Sequence, residues 1–250
     1  MDWNVQKYHE TCGRVTEHGE KLVERLKAIS CGEILDLGCG TGVLTNEISR
    51  FAKKVVGIDS SPQMIEKAMS SYPSIEFHLM DARSIIWENR FDAVFSNAVF
   101  HFIREQDALL DSIIKSLKPK GTLISEFGAH GNISELLKAI EHALVSRGRP
   151  YMLRFYYPTT DEYSKLLVNH GFKIEFIIAY ELDTTLKEGE AGLRNWINQI
   201  FDVELKAYEL SERQTILSEI EAALMPSQWD GANWHLHNRR IQFYAYKQLE

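Results

Sequence analysis

The chain has 250 residues, of which 44% are hydrophobic and 25% are charged, and its formal net charge is -7. This length suits one large α/β domain, and the composition is that of a folded globular protein rather than a disordered or fibrous one. The negative charge disfavours a nucleic-acid partner, because phosphate binding needs clustered Lys and Arg and the closest cluster is Arg239-Arg240. A small-molecule substrate is therefore favoured.

The N-terminus and the cysteines bear on location. Residues 1–10 are polar with early acids, unlike a secretory signal, and no stretch approaches the ~18 consecutive apolar residues of a membrane span. The three cysteines, Cys12, Cys31 and Cys39, are odd in number and lack paired metal-type spacing. These features predict a cytoplasmic protein with reduced thiols and no membrane partner, and no motif indicates an oligomeric state.

The first half of the chain alternates between strand and helix patterns. Apolar runs predict strands at 33–37, 54–59, 75–80, 90–97 and 122–127. Helical spacing predicts helices at 16–29, at 45–52, after the Ser60-Ser61-Pro62 start, and around 109–117, before the break at Lys118-Pro119-Lys120-Gly121. Such alternation predicts a doubly wound, mostly parallel sheet whose strand ends share one rim.

The second half is predicted to complete this sheet and to add a cap. We expect a helix at 133–146, a capping box at Thr159-Thr160-Asp161-Glu162 that starts a helix ending at Gly171, and strands at 172–182 and 240–246. Residues 187–226 are mostly helical and too long for a plain connection. The prediction is a single domain over 1–250, with a cofactor-binding core at 30–130 and a helical cap at 187–226.

A glycine motif follows the first strand. Asp36 is followed by Gly38, Gly40 and Gly42 at alternate positions, and the second strand ends in Asp59. A carboxylate at that place accepts ribose hydroxyls in nucleoside-binding sheets. A dinucleotide fingerprint needs a small residue at its sixth position, where this chain has Val43, so a nicotinamide oxidoreductase is only the alternative.

The acid-x-Gly-x-Gly-x-Gly motif resembles the first motif of class I S-adenosylmethionine-dependent methyltransferases. The Lys118-Pro119-Lys120-Gly121 turn is similar to the Lys-Pro-Gly-Gly turn of that family, with Lys120 in place of a glycine. The N-terminal Asp2-Trp3-Asn4 with Tyr8, the 57–65 block, and Asn97-Ala98 before an aromatic are similar to the trans-aconitate methyltransferase group. The resemblance implies a seven-stranded Rossmann-like methyltransferase fold, S-adenosylmethionine as cofactor and S-adenosylhomocysteine as product.

The resemblance also implies roles for individual residues. Asp36 would bind the ammonium end of the cofactor, Asp81-Ala82 would hold the adenine, and Asn97 would line the floor beneath the methyl donor. Trp3 and Tyr8 would cover the cofactor or, as the alternative, anchor the N-terminus by packing on the core. The residues expected to bind it are Tyr8, Asp36, Gly38, Cys39, Gly40, Asp59, Ser60, Met64, Asp81, Ala82 and Asn97.

The acceptor is less well defined. A carboxylate acceptor, as in the trans-aconitate relatives, is already an anion and needs only a positioning cation, for which arginine is suited. The candidates are Arg154, Arg194, Arg239 and Arg240, each with a surface salt bridge as the competing interpretation. Aromatic residues that could form a wall, or simply pack in the core, are Phe127, His130, Tyr156, Tyr157 and Trp196.

His101 and two further possibilities complete the predictions. His101 follows the fourth strand and could act as a base toward a hydroxyl or amine acceptor, or bind the substrate, or pack. His235-x-His237 has no third ligand nearby, so no metal is expected. Asn97 is followed by Ala98-Val99 and not by the Pro-Pro-aromatic motif with which adenine and glutamine amide methyltransferases bind a planar amino group. This again disfavours a nucleic-acid substrate. A non-catalytic cofactor-binding module is the remaining alternative.

Overall fold

A computed structural model describes residues 13–29 and 32–248, which form helices around a seven-stranded sheet. The strands are β1 (Glu33–Leu37), β2 (Lys54–Asp59), β3 (Glu76–Leu79), β4 (Phe91–Asn97), β5 (Leu117–Gly128), β6 (Phe172–Thr185) and β7 (His235–Lys247). Their order is β3-β2-β1-β4-β5-β7-β6. β7 is antiparallel to both neighbours and all other pairs are parallel. The predicted Rossmann-like, mostly parallel sheet is confirmed.

The helices connect these strands. They are α1 (Gly13–Ile29), α2 (Val43–Ser49), α3 (Pro62–Ser71), α4 (Gln106–Ser116), α5 (Ser134–Val145), α6 (Thr160–Asn169), α7 (Gly192–Ile200), α8 (Asp202–Leu205) and α9 (Leu210–Gln228). Short 3-10 turns lie at Ala82–Ser84, Phe100–Phe102 and Gly189–Ala191. Among the described residues, every helix is too short or too polar to cross a membrane.

Both faces of the sheet are covered by helices. Ile34 of β1 packs in a cluster with Leu26 of α1 and Ile48 of α2. The next residue, Leu35, belongs to the cluster on the other face, which contains Leu109 of α4 and residues of α6. Successive side chains of a strand point to opposite faces, so this strand must be apolar throughout. Because β1 to β5 run parallel, their C-terminal ends lie at one rim of the sheet, where ligands bind in such folds.

The helices α5, α7, α8 and α9 form a second apolar core. Leu136 of α5, Ile197 of α7 and Leu217 of α9 belong to one buried cluster. The cluster also contains Phe155, from the connection between α5 and α6, and Leu236, from the start of β7. The helical segment near the C-terminus thus shares its packing with α5 and with the sheet edge.

Two helix starts agree with the predictions. The Ser61 hydroxyl accepts the Met64 N–H at the start of α3, with Pro62 as the first helical residue. At α6, the Thr159 hydroxyl accepts the Glu162 N–H at 3.2 Å while the Glu162 carboxylate accepts the Thr159 N–H at 2.8 Å. The capping box is confirmed, and it satisfies amide groups that the first helical turn leaves unpaired.

Several strand and helix boundaries differ from the predictions. β7 begins at His235 and β6 extends to Thr185, because these two strands pair with each other beyond the end of β5. β5 begins at Leu117, with a register shift against β4 and a left-handed φ of 63° at Lys120. α2 begins at Val43, two residues early, because left-handed Gly42 directly precedes it.

Candidate functional site

One cavity of about 510 Å³ lies at the rim where β1, β2 and β4 end. Small-molecule sites usually measure roughly 300–1,000 Å³, so the cavity suits such ligands. Its two ends differ in chemistry. The glycine end is formed by Gly38, Gly40, Asp59, Ser60, Met64, Asp81, Ala82 and Asn97. The arginine end is formed by His101, Phe102, Arg154, Phe155, Tyr157, Trp196, Ile200, Val203, Leu236, Asn238 and Arg240.

Two glycines of the loop after β1 serve different purposes. Gly42 has φ 82°, and a Cβ added there would lie 2.9 Å from Phe77 and 3.0 Å from Tyr72. Gly42 is therefore required by packing. Gly40 has φ 54°, borders the cavity, and would place a Cβ with no protein atom within 4 Å. Gly40 keeps bare backbone open to a ligand.

Asp59 connects the glycine loop to the start of α3. Its Oδ2 accepts the Gly40 N–H at 3.0 Å, and its Oδ1 accepts the Ser61 N–H at 2.8 Å. Burial raises the pKa of this carboxyl, and the hydrogen bonds from Ser61 and Gly40 lower it in part. A carboxylate oxygen accepts more than one hydrogen bond, so Asp59 retains acceptor capacity on the cavity side.

Asp36 and Cys39 lie behind the loop and do not border the cavity. The Thr45 hydroxyl donates to Asp36 Oδ2 at 2.6 Å, and Asp36 is only 2% exposed. Burial raises the pKa of Asp36 to about 7, against the effect of Thr45 and with that of the Asp59 charge. Burial likewise raises the pKa of the Cys39 thiol. Their predicted contacts with a cofactor stay predictions.

The loop after β3 provides a further wall of the glycine end. Asp81 accepts the Arg83 N–H at 2.9 Å and pairs with the Arg83 guanidinium at 2.6 Å, which lowers the pKa of Asp81. Ser60, Met64, Ala82 and Asn97 also border the cavity, so eight of the eleven predicted residues meet there. Tyr8, like Trp3, lies outside the described residues.

His101 belongs to the arginine end, four residues along the chain from Asn97 of the glycine end, and is buried in a neutral form. Its Nδ1 accepts the Gly128 N–H at 3.3 Å. Burial lowers its pKa well below the ordinary value, and the charges of Arg240 and Arg154 act in the same direction. Because an amide can only donate, the proton of the neutral ring sits on Nε2. His101 therefore presents a hydrogen-bond donor at that nitrogen.

Arg240 of β7 is one of the two predicted arginines that reach the cavity. Its Nε donates to Oε1 of Glu126 at 3.4 Å, and the two side chains are 12% and 2% exposed. Oε2 of Glu126 accepts the Tyr180 hydroxyl and the Gln242 amide, each at 2.7 Å. Within the described part of the chain, the two terminal nitrogens of Arg240 have no partner.

Arg154 also borders the cavity but is more fully paired. Its Nε donates to Oε1 of Glu204 at 2.7 Å, another nitrogen donates to the Ile200 carbonyl, and the guanidinium lies 4.5 Å from the centre of the Phe155 ring. The other two candidate arginines lie elsewhere. Arg194 pairs with Glu221, and Arg239 is absent from the cavity wall.

The aromatic predictions divide in the same way. Tyr157 and Trp196 border the cavity, whereas Phe127 is buried among the residues under the sheet and His130 and Tyr156 are not part of the wall. The sequence interpretation missed Phe102, Phe155, Ile200, Val203, Leu236 and Asn238. One signal was available: Leu236, Asn238 and Arg240 have the period of two that places strand residues on one face.

His235 and His237 form no metal site. Nε2 of His235 contacts Asp230 at 2.7 Å, and its Nδ1 contacts Thr185. Across residues 13–29 and 32–248, no three His, Cys, Asp or Glu side chains are close enough to hold a metal ion.

Comparisons with known proteins agree with this geometry. Residues 34–121 match the family model of a methyltransferase domain. The chain is 31% identical to a Schizosaccharomyces pombe protein described as uncharacterized methyltransferase C70.08c, with 98% of each chain covered. It is 25% identical to the trans-aconitate 2-methyltransferase of Escherichia coli strain SE11, over 90% of this chain and 94% of that protein.

A solved structure shows the same fold. The crystal structure of BH2331 from Bacillus halodurans C-125 has a TM-score of 0.66 to this chain at 17% identity, covering 92% of this chain and all of the other. The sheet order and the flanking helices are therefore those of an established architecture.

Proposed function

Because the chain belongs to the class I S-adenosylmethionine-dependent methyltransferases, we propose that it transfers the methyl group to a carboxylate oxygen of a small organic acid. When bound, S-adenosylmethionine supplies a methyl group on a positively charged sulfur. In this proposal, residues 30–130 form the cofactor-binding core and the helices of 187–226 cap the acceptor.

The glycine end fits the nucleoside part of this cofactor. The open side of Gly40 leaves room that any Cβ would fill, which suits close approach of a ligand to the backbone. Asp59 offers carboxylate oxygens to ribose hydroxyls, and its two amide partners keep the carboxylate in place. Asp81 and Ala82, which border the cavity, would hold the adenine, as the resemblance to the family implies.

The arginine end fits an anionic acceptor. Three donors lie there: the terminal nitrogens of Arg240, the Nε2–H of His101 and the Tyr157 hydroxyl, whose pKa burial raises to about 12. The acids beside the two arginines of this end, Glu126 and Glu204, are each already paired with one of them. The unpaired terminal nitrogens of Arg240 are the observation that carries the proposal, because a guanidinium binds a carboxylate with two parallel hydrogen bonds.

A carboxylate acceptor asks little chemistry of the protein. It is a nucleophile without deprotonation, so the chain's task is to hold the acceptor in line and to exclude water. Arg240 and His101 would orient the carboxylate by donating hydrogen bonds. Phe155, Tyr157 and Trp196 would keep water from the reacting atoms.

The alternative is a hydroxyl or amine acceptor with His101 as base. A base needs a free lone pair, but Nδ1 of His101 already accepts the Gly128 N–H and Nε2 carries the proton. Burial further disfavours the charged ring that a base must become. The geometry supports His101 as a donor to the acceptor.

Cofactor binding is tested by thermal unfolding. S-adenosylhomocysteine at 100 times its Kd should stabilise the protein by about 2.7 kcal/mol, and NAD at the same concentration should have no effect. Stabilisation by NAD alone would favour the nicotinamide oxidoreductase alternative. Binding without methyl transfer to any acceptor would favour a non-catalytic module.

The acceptor class is tested with S-adenosylmethionine carrying a labelled methyl group and matched panels of acids, phenols and amines. Carboxylate methylation gives an ester, so mild alkali should release the label as methanol. Ethers and methylamines survive this treatment. Alkali-stable label on phenols or amines, with none on any acid, would overturn the proposal.

A further inference from the structure

We infer that the acceptor is an amphipathic acid with a single carboxylate and an apolar body, and not a polycarboxylate such as trans-aconitate. This inference rests on the proposed carboxylate chemistry and narrows it to a substrate class. It follows from the number of unpaired cations at the arginine end and from the apolar character of the residues that line the cavity beside them.

The cations at the arginine end match a single carboxylate. Two guanidinium groups border this part of the cavity, those of Arg154 and Arg240. Arg154 is neutralised by Glu204 at 2.7 Å and also donates to the Ile200 carbonyl. That leaves Arg240, whose terminal nitrogens form one fork for one carboxylate.

Further carboxylates would lack partners. The arginine end already contains two arginines and their two paired acids, so its formal charge is balanced before a ligand binds. A tricarboxylate would bring two more negative groups to this end of the cavity, where the described residues leave no unpaired cation for either, since Arg83 of the same cavity is paired with Asp81 and Glu105. Charged groups that leave water without a partner bind weakly.

Apart from Asn238, whose amide nitrogen donates to Thr184 and to the Leu236 carbonyl, the remaining wall of the arginine end is mostly apolar. Phe102, Phe155, Trp196, Ile200 and Leu236 border the cavity on the cap side. The Phe155 ring stacks on Tyr157 at 5.8 Å and meets Phe102 edge-on at 5.5 Å, so these rings form a continuous surface. Such a surface is suited to hydrocarbon or aromatic groups, and the faces of its rings offer no charged partner to further carboxylates.

The wall also has an outer margin. Val203 of α8 borders the cavity and is 44% exposed, which makes it an apolar residue at the boundary with solvent. Apolar residues thus extend from the buried region beside Arg240 to the surface at α8. An acid with its carboxylate on Arg240 would lay its body along this wall toward Val203.

The experiment compares acids that differ only in their bodies. Butanoate, hexanoate, octanoate and 3-phenylpropanoate would be assayed for methyl transfer beside trans-aconitate and succinate. The same acids would be titrated into the S-adenosylhomocysteine-loaded protein by calorimetry, so that binding is measured whether or not turnover occurs. Octanamide, which has the body without the charge, is the control for the head group.

Each buried methylene should improve kcat/KM or affinity by roughly fourfold, which predicts an increase on the order of 100-fold from butanoate to octanoate. Trans-aconitate should fall at least about 100-fold below octanoate. Trp196→Ala should reduce the preference for octanoate over butanoate about tenfold. Trp229→Ala is the matched control, because Trp229 packs on Trp234 away from the cavity wall.

The outcomes separate the two levels of the proposal. A flat chain-length series, or preference for trans-aconitate, would overturn the single-carboxylate inference and leave carboxylate methylation standing. If no acid binds or is methylated while phenols or amines are, the proposed function fails and the inference fails with it.

Discussion

The two ends of the cavity are held together in different ways. At the glycine end, Asp59 is fixed by backbone amides of Gly40 and Ser61, which lie within 19 residues of it along the chain. At the arginine end, Arg240 is fixed by the side chain of Glu126, 114 residues away. Arg154 is fixed by that of Glu204, 50 residues away.

This difference has a functional consequence. Backbone donors are in place as soon as the loop folds, and their positions depend little on which side chains surround them. Side-chain pairs change whenever either partner is substituted. Under the proposed function, a family could keep the same cofactor while it changes acceptors, because the arginine end can vary without disturbing the glycine end.

The largest expected effect tests the glycine end. Asp59→Ala removes the acceptor for two backbone amides and the proposed partner of the ribose, and charge-assisted hydrogen bonds contribute about 1.5–3 kcal/mol each. We expect the Kd for S-adenosylhomocysteine to rise about 1,000-fold in calorimetry. Glu66→Ala, on the exposed side of α3, is the control and should leave the Kd unchanged. A change of less than fivefold in Asp59→Ala would contradict the assignment.

The next effect tests the arginine end. Arg240→Lys keeps a positive charge beside Glu126 but removes the fork, so kcat/KM for the acid substrate should fall about 100-fold. The Kd for S-adenosylhomocysteine should stay within about twofold, because Arg240 is outside the glycine end. Arg239→Lys, at a neighbouring residue that does not border the cavity, should change neither value. Equal fold-losses in kcat/KM for the acid and in affinity for S-adenosylhomocysteine would mean that the two ends are not independent.

The same difference explains which residues of the candidate site could be predicted from the sequence. The glycine loop, Asp59 and the helix start at Ser61-Pro62 lie close together in the chain, so local patterns were enough to predict them. Among four candidate arginines, no local pattern could favour Arg154 and Arg240. Their selection depends on how β5, β7 and the helices α7 and α8 pack, which involves contacts between residues 46 to 114 positions apart.

Two features of the sequence were harder to interpret. His235-x-His237 resembles half of a metal site, for which no metal was expected, and it lies at the start of β7, whose alternate residues Leu236, Asn238 and Arg240 border the cavity. Glu126 was passed over in an apolar strand. A lone acid in a buried strand needs a cationic or hydrogen-bonding partner, so it predicts one even where the sequence does not say which.

A third effect separates packing from ligand access within the glycine end itself. Gly40→Ala adds a methyl group to the open side of the loop and should weaken S-adenosylhomocysteine binding by at least about tenfold. The left-handed φ should cost about 1–2 kcal/mol of stability. Gly42→Ala meets Phe77 and Tyr72 instead, so it should lower Tm more than Gly40→Ala does while the folded protein keeps its affinity. The opposite ranking in calorimetry and thermal unfolding would reverse the roles of the two glycines.

The smallest expected effect concerns His101 of the arginine end. If His101 only donates a hydrogen bond, His101→Gln should lose no more than about fivefold in kcat/KM for the acid, since an amide N–H replaces Nε2–H. The shape of the kcat/KM profile between pH 6 and 9 should be unchanged. A base would instead give a loss of about 100-fold to 10,000-fold and remove the acidic limb of the profile.

The pH dependence of thermal stability gives an independent test of whether the His101 ring is buried in its neutral form. The pKa of His101 in the folded protein lies well below 6.5. As the pH drops below 6.5, this residue therefore becomes protonated in the unfolded chain but stays neutral in the folded protein. Stability from this group is therefore complete above that pH and declines as the pH falls toward the folded-state pKa. His101→Gln should make the decrease in Tm between pH 7 and pH 5 shallower. A steeper or identical slope would mean that the ring is not buried in its neutral form. The assignment of Nε2 as a hydrogen-bond donor to the acceptor would then be wrong.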